Sequence, residues 1–410
     1  MTAPHASEHD FALAAGDSIL LATRDRSLPA VPATRELADE AMAVLAGLDR
    51  DVAGSIGRAG RPVLCGTIPF DPDEPADLFV AQHPVRVARP VPTRPVAPGE
   101  GLVPGAPAPD PDHREAVAEA LDRIDRGALR QVVLGRSLDV GMPPGVGPAQ
   151  LWEQLLLPAA GGHAFSVRPA GGGVLVGAGA GPLAAIGPEG FTGDLCTGAA
   201  RRRLAVSGDA AAQQSLLRSP PHRLRHALVV EHAVRALERH TVSLTVPGQP
   251  SVLGTAALWG LATRVTGRPV RGTSALHAAL ALHPGPAVGG TPTRAALSLI
   301  RELEPCRRGP WAGLVGWTDA AGHGRWVPVL RCALLEGGRA RLWAGSGVVA
   351  GTTVDAAQDE TDAKLGVLRA ALAAAGAAAG TGAVTAAGTG APAAARPGCA
   401  GASGCLGDAA

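Results

Sequence analysis

The chain has 410 residues and a mass of 41.0 kDa, which suits one large domain or two of ordinary size. With 46% hydrophobic and 18% charged residues, and 37 Lys and Arg against 36 Asp and Glu, the composition excludes a wholly disordered chain and a general polyanion binder, so no nucleic acid is expected as partner. The opening MTAPHASEHD lacks a basic segment leading into an apolar one, and no run of about 18 strongly apolar residues occurs, so no membrane partner is expected and the expected location is cytoplasmic.

In chain order, apolar residues at helical spacing predict a helix over Thr34 to Leu48, and the short proline-bounded run Arg61 to Phe70 reads as a strand. Residues 89–112 are too rich in Pro and Gly for a central element and read as a connector between an N-terminal part, 1–88, and a core, 113–374. Within that core, helices are predicted over Glu115 to Arg126, Arg223 to Glu238, Thr293 to Leu303 and Asp355 to Ala374. Strands are predicted at Gln131 to Leu134, Gly173 to Val176, Val242 to Val246 and Ala340 to Trp343. Their alternation lacks regular βαβ units and favours an α+β fold on antiparallel sheet. Residues 375–410 collapse to Ala, Gly and Thr, with little to bury, and read as a disordered tail.

Six cysteines (Cys65, Cys196, Cys306, Cys332, Cys399 and Cys405) show no CxxC or Cys/His spacing and read as plain thiols. Lys364 is the only lysine and tyrosine is absent, which removes most lysine and tyrosine chemistry.

Four features carry possible chemistry. Gly345-Ser-Gly347-Val-Val-Ala350 fits G-x-G-x-x-A, but no helix opens directly behind it, so a glycine turn is the stronger reading against a dinucleotide site. Arg331 sits in an otherwise apolar run; buried there it needs an anionic partner, a bound carboxylate or an internal ion pair, unless it snorkels from a sheet edge. Glu360 and Lys364 are one helical turn apart, and on spacing alone form a solvated pair. Arg201-Arg202-Arg203 reads as a wet basic turn rather than a substrate clamp.

Several segments together resemble one family: Gly66-Thr-Ile-Pro-Phe70-Asp71, Gln131-Val-Val-Leu-Gly-Arg136, Thr197-Gly-Ala-Ala-Arg201-Arg202, Leu282-His-Pro-Gly-Pro-Ala287, Glu302-Leu-Glu-Pro305, Gly313-Leu-Val-Gly-Trp317, Trp343-Ala-Gly-Ser-Gly347 and Glu360-Thr-x-x-Lys364. In order and spacing they are similar to the chorismate-utilising enzymes, specifically isochorismate synthases of the catechol siderophore (2,3-dihydroxybenzoate) type. The resemblance implies a monomer with a large two-sheet core flanked by helices. It also implies Mg²⁺ as cofactor, chorismate or a similar small carboxylate as partner, a lysine base that activates water and a glutamic acid that protonates the departing hydroxyl. It places substrate contacts at Arg331, Gly198, Gly345, Gly347 and Lys364, and a metal ligand at Glu360.

The reactive positions of the family are substituted. Its base lysine falls on Gln131, its acid glutamate on Gly181 and its histidine on Gly260; two metal-side carboxylates fall on Arg225 and Ala357. A neutral amide cannot take a proton from water at useful pH, and arginine offers a metal no oxygen, so these changes predict loss of proton transfer and of the metal, with Arg225 pairing to Glu360 instead. The competing expectation is a working isochorismate synthase with substitute groups, for which His163, His222 and Glu189 are the candidates. A third is a chorismate-binding or regulatory protein without catalysis.

Overall fold

The computed structural model describes residues 9–53, 61–90, 110–156, 162–179, 181–203, 205–255 and 258–378. Among these, the strands form two sheets in which every paired neighbour is antiparallel. One sheet runs, edge to edge, Gly290–Thr291, Gln131–Gly141, Arg339–Val349, Arg331–Glu336, Val174–Gly179, His163–Val167, Phe11–Ala15, Ser18–Ala22 and Val85–Ala88. The other runs Thr241–Thr245, Leu258–Pro269, Gly190–Arg201, Ala184–Gly187, Gly324–Pro328, Leu314–Asp319, Val63–Ile68, Asp77–Ala81 and Arg26–Ser27, with Ser251–Gly254 added beside Leu258–Pro269. The α+β class and the helix-flanked two-sheet core expected from the sequence are present.

Alternation along the strands builds the layers. Val63, Cys65 and Phe79 of the second sheet share a buried cluster with Phe11, Leu13 and Phe165 of the first, so these side chains form the core between the sheets. Their strand neighbours Leu64, Leu78 and Val80 face the other way, onto Leu37 and Leu45 of the helix Arg35–Ala53 and Leu276 of the helix Ala275–Leu282. On the outer face of the first sheet, Val174, Val176 and Leu342 meet Trp152 of the helix Pro148–Leu156 and Leu365 and Leu368 of the helix Val354–Ala378. The N-terminal part contributes strands to both sheets and is woven into the core.

Several local expectations change. Gly345 and Gly347 lie inside the continuous strand Arg339–Val349, paired with Gly135 and Val133, so the glycine-turn reading is incorrect. Arg202 is no wet turn: it is held by Asp209 at 3.0 Å and its guanidinium lies 3.9 Å over the Trp259 ring. The helix Pro111–Asp125 begins inside the expected connector, because Asp110 caps it by accepting from the His113 N–H and proline is tolerated in the first turn. The helix Val354–Ala378 takes in residues 375–378; residues 91–109 and 379–410, which hold the rest of the connector and tail, lie outside the described residues. Cys65, Cys196, Cys306 and Cys332 are free thiols, whereas Cys399 and Cys405 fall outside.

Candidate functional site

Ten positions singled out from sequence line one cavity of about 180 Å³: Gln131, Gly181, Gly198, Arg225, Gly260, Arg331, Gly345, Gly347, Glu360 and Lys364. Local chain chemistry puts them there. The helix Pro220–Leu237 starts on two prolines after an extended Ser219, and His222, Arg225 and His226, three and four residues apart, share one of its faces. Gly198 sits at φ 73°, where the register of Gly190–Arg201 against Leu258–Pro269 shifts between Thr197 and Ala200; glycine takes that left-handed conformation without a Cβ penalty. Glu360 and Lys364 project one turn apart from the helix Val354–Ala378.

A buried charge cluster closes one wall. Arg225 Nη1 donates to Glu360 Oε2 at 2.8 Å and to the Gly347 carbonyl at 2.9 Å, while its Nη2 bonds His222 Nδ1. Ser346 Oγ donates to the same Glu360 oxygen at 3.1 Å, and Lys364 Nζ donates to Glu360 Oε1 at 2.8 Å and the Gly345 carbonyl at 2.6 Å. The solvated Glu360–Lys364 pair of the sequence reading is thus one side of a buried triad. Burial alone would raise the Glu360 carboxyl, but the adjacent Arg225 and Lys364 charges and hydrogen bonds outweigh it and hold the carboxyl far below the usual range. Glycine at 347 is required because a Cβ there would come within 2.7 Å of Arg225 Cδ.

The positions matched to proton transfer carry no titratable group of their own. Gln131 is buried; its Nε2 donates to the Pro286 carbonyl at 2.6 Å and its Oε1 has no partner among the described residues. A Cβ on Gly181 would lie 2.7 and 2.8 Å from Asp194 Cβ and Cγ, so that space belongs to the Asp194 side chain, which receives two bonds from Arg264 at 2.7 and 3.1 Å. Gly260 faces the carbonyls of Thr197 and Gly198, and Ala357 is not on the cavity wall but buried in an apolar cluster that also holds Val117 of the helix Pro111–Asp125.

The substitute groups do not converge on the cavity. His163 bonds Arg325, and burial with the neighbouring Arg325 and Arg89 charges pushes it down to about 3. His222 is spent on Arg225 and lies near 4 through burial and that charge, while Glu189 is exposed in a turn.

Arg331 opens the strand Arg331–Glu336 on the cavity wall, paired with Ala178, and among the described residues its side chain has neither ion pair nor hydrogen bond. Burial pushes it below its ordinary value, but a guanidinium keeps its charge, leaving an uncompensated cation facing the cavity. Sequence reasoning missed Asp194, Cys196, His232, Trp259, His283 and Trp311, all on the same wall. His283 lay inside a quoted motif, whereas Asp194 and Trp259 arrive only through strand register. Burial holds the Cys196 thiol near 12 and His283 near 4, and His283 Nε2 is paired with the Pro69 carbonyl at 3.0 Å.

Comparison with known proteins decides the family. The model of the chorismate binding enzyme family matches residues 104–373. This chain belongs to that family. It is 38% identical to MenF of Mycobacterium tuberculosis strain H37Rv over 323 residues, 76% of this chain and 86% of that one. It is 33% identical to the isochorismate synthase EntC of Escherichia coli strain K12 over 314 residues, 75% and 80% of the two chains. The crystal structure of DhbC from Bacillus anthracis superimposes with a TM-score of 0.79 at 29% identity, covering 89% of this chain and 96% of that one.

In this member of the family the residues do not fit the magnesium ion that the resemblance implies. Mg²⁺ asks for oxygen ligands at about 2.0–2.1 Å in near-octahedral array. Both Glu360 oxygens are engaged by cationic donors, and among the described residues no group of three or more Asp, Glu, His or Cys side chains is arranged to hold a metal.

Proposed function

We propose that this isochorismate synthase-like chain binds chorismate or a closely similar ring carboxylate without catalysing the metal-dependent conversion of chorismate to isochorismate. The observation that carries the reading is the Arg225–Glu360–Lys364 triad. It neutralises the carboxylate from within the chain, so the cavity needs no divalent ion to balance that charge. Arg331 supports the binding half: a cation without a partner among the described residues is suited to a ligand carboxylate through paired N–H donors. Gln131 supports the absence of proton transfer, since an amide neither accepts a proton from water nor holds one to give.

A second reading, a working synthase, is favoured by the Asp194 carboxylate in the space beside Gly181. Both oxygens of that carboxylate are already engaged, accepting from Arg264 at 2.7 and 3.1 Å.

Titration calorimetry with chorismate, in EDTA and in millimolar Mg²⁺, tests the proposal. Equal affinity in the two buffers, with at least about a tenfold loss in Arg331→Met, is expected. Binding that appears only with Mg²⁺ contradicts it.

A further inference from the structure

The cavity wall leaves a specific set of polar atoms unused. Asp194 is bonded to Arg264, Thr197 to His226, Trp259 to Asp209, Trp311 to the Leu330 carbonyl and His283 to the Pro69 carbonyl. Among the described residues, the polar groups on the wall that have no hydrogen bond include the Arg331 guanidinium, Arg225 Nε and Gln131 Oε1, the last two buried. Two are donors and the third is an acceptor.

The acceptor is the informative one. Gln131 is 1% exposed, and its Nε2 bond to the Pro286 carbonyl fixes which end of the amide is which, because the oxygen could not sit against another carbonyl. Gln131 is one of the residues lining the cavity, and its buried Oε1 has no protein donor among the described residues. Buried acceptors in that state are destabilising unless something supplies a hydrogen. A protonated lysine at this position would bring only donors, whereas the amide oxygen accepts.

We infer that Gln131 is a specificity-determining residue whose Oε1 accepts a hydrogen bond from a ring hydroxyl of the bound acid, so that the cavity selects a hydroxylated ring carboxylate over its deoxy counterpart. This rests on the reading that the cavity binds a ring carboxylate, and it adds the group that is read. Arg331 holds the anion, which both classes of ligand possess. Gln131 makes the distinction, because a ligand without the hydroxyl leaves Oε1 unpaired.

The test compares chorismate with 3-(1-carboxyvinyloxy)benzoate, which has two carboxylates and no ring hydroxyl, by calorimetry on the wild-type chain, Gln131→Met and Gln131→Leu. Each variant's thermal melt reports whether it is folded. The wild type is expected to prefer chorismate by about tenfold or more. In a folded variant that preference falls to about threefold or less, while affinity for the hydroxyl-free acid stays within about twofold. A preference unchanged by either substitution, a wild type that binds both acids alike, or an equal loss for both acids overturns the role of Gln131 while leaving carboxylate binding intact. Failure of the wild type to bind either acid overturns both readings.

Discussion

Arginine at position 225 reverses the sign of the wall it stands on. A carboxylate there would add negative charge beside Glu360, whereas the guanidinium bonds Glu360 at 2.8 Å in a buried setting. Removing one partner of a buried pair leaves the other uncompensated, so Arg225→Met should lower stability by about 3 kcal/mol, read from the urea midpoint. Arg225→Glu should acquire a Mg²⁺-dependent rise in melting temperature of roughly 4 °C or more that the wild type lacks. An equal response of the two chains to Mg²⁺ would count against the triad as an internal substitute for the ion. Position 181 yields a second residue-scale prediction. Gly181→Ala alone should destabilise by about 1–3 kcal/mol, because its Cβ meets the Asp194 side chain, and Asp194→Ala in the same chain should remove most of that penalty. A double-mutant cycle in urea measures the coupling. Gln131, Arg225 and Gly181 were legible in sequence because each changes the chemistry of a motif position. Asp194 was not, since its nearness to Gly181 depends on how separate strands meet.

At the scale of elements, the cavity is held by ties between strands and helices. Arg308, just past the helix Thr293–Leu303, is buried; it bonds Glu304 and donates to the Val288 and Val133 carbonyls at 2.7 Å, joining that helix end to the strand bearing Gln131. It also packs over Phe70 at 4.1 Å and Trp311 at 4.7 Å. Arg308→Met should therefore cost about 3 kcal/mol or more in urea unfolding and weaken chorismate binding together, while Arg239→Met on the surface should change neither. Helix periodicity located Thr293–Leu303 to the residue and the two long helices of the cavity to within a few residues. The strand Arg339–Val349 was half read, because its Gly-Ser-Gly stretch has turn composition. Its glycines answer to packing instead: a Cβ on Gly345 would approach Trp311 and one on Gly347 would meet Arg225. Short alanine- and glycine-rich strands such as Ala184–Gly187 had no period to read.

Over the whole molecule, two sheets and their covering helices enclose the cavity and also enclose histidines that folding holds neutral. Burial pushes His113, His226 and His283 down to about 4 and His163 to about 3, with neighbouring arginine charges contributing at His113 and His163. An unfolded histidine takes up a proton near pH 6.5 while these folded ones do not, so the unfolded chain binds more protons below that point. Stability is thus full above about pH 6.5 and should fall by on the order of 3 kcal/mol or more as the pH drops toward 4, as urea midpoints at stepped pH would record. A flat profile over that window would mean the histidines are not sequestered. The layered core was legible as a class, because strand-like and helical runs alternate without βαβ units; the sheet order was not, since pairing across the chain leaves no local trace. The cavity carries the Arg331 side chain, which has no partner among the described residues, and no titratable side chain at positions 131 and 181. The most direct measurement is a chromatographic assay of the purified chain with chorismate and Mg²⁺ beside an active isochorismate synthase: no isochorismate above the uncatalysed background is the result expected here, and Mg²⁺-dependent turnover at a rate comparable to the active enzyme would contradict it.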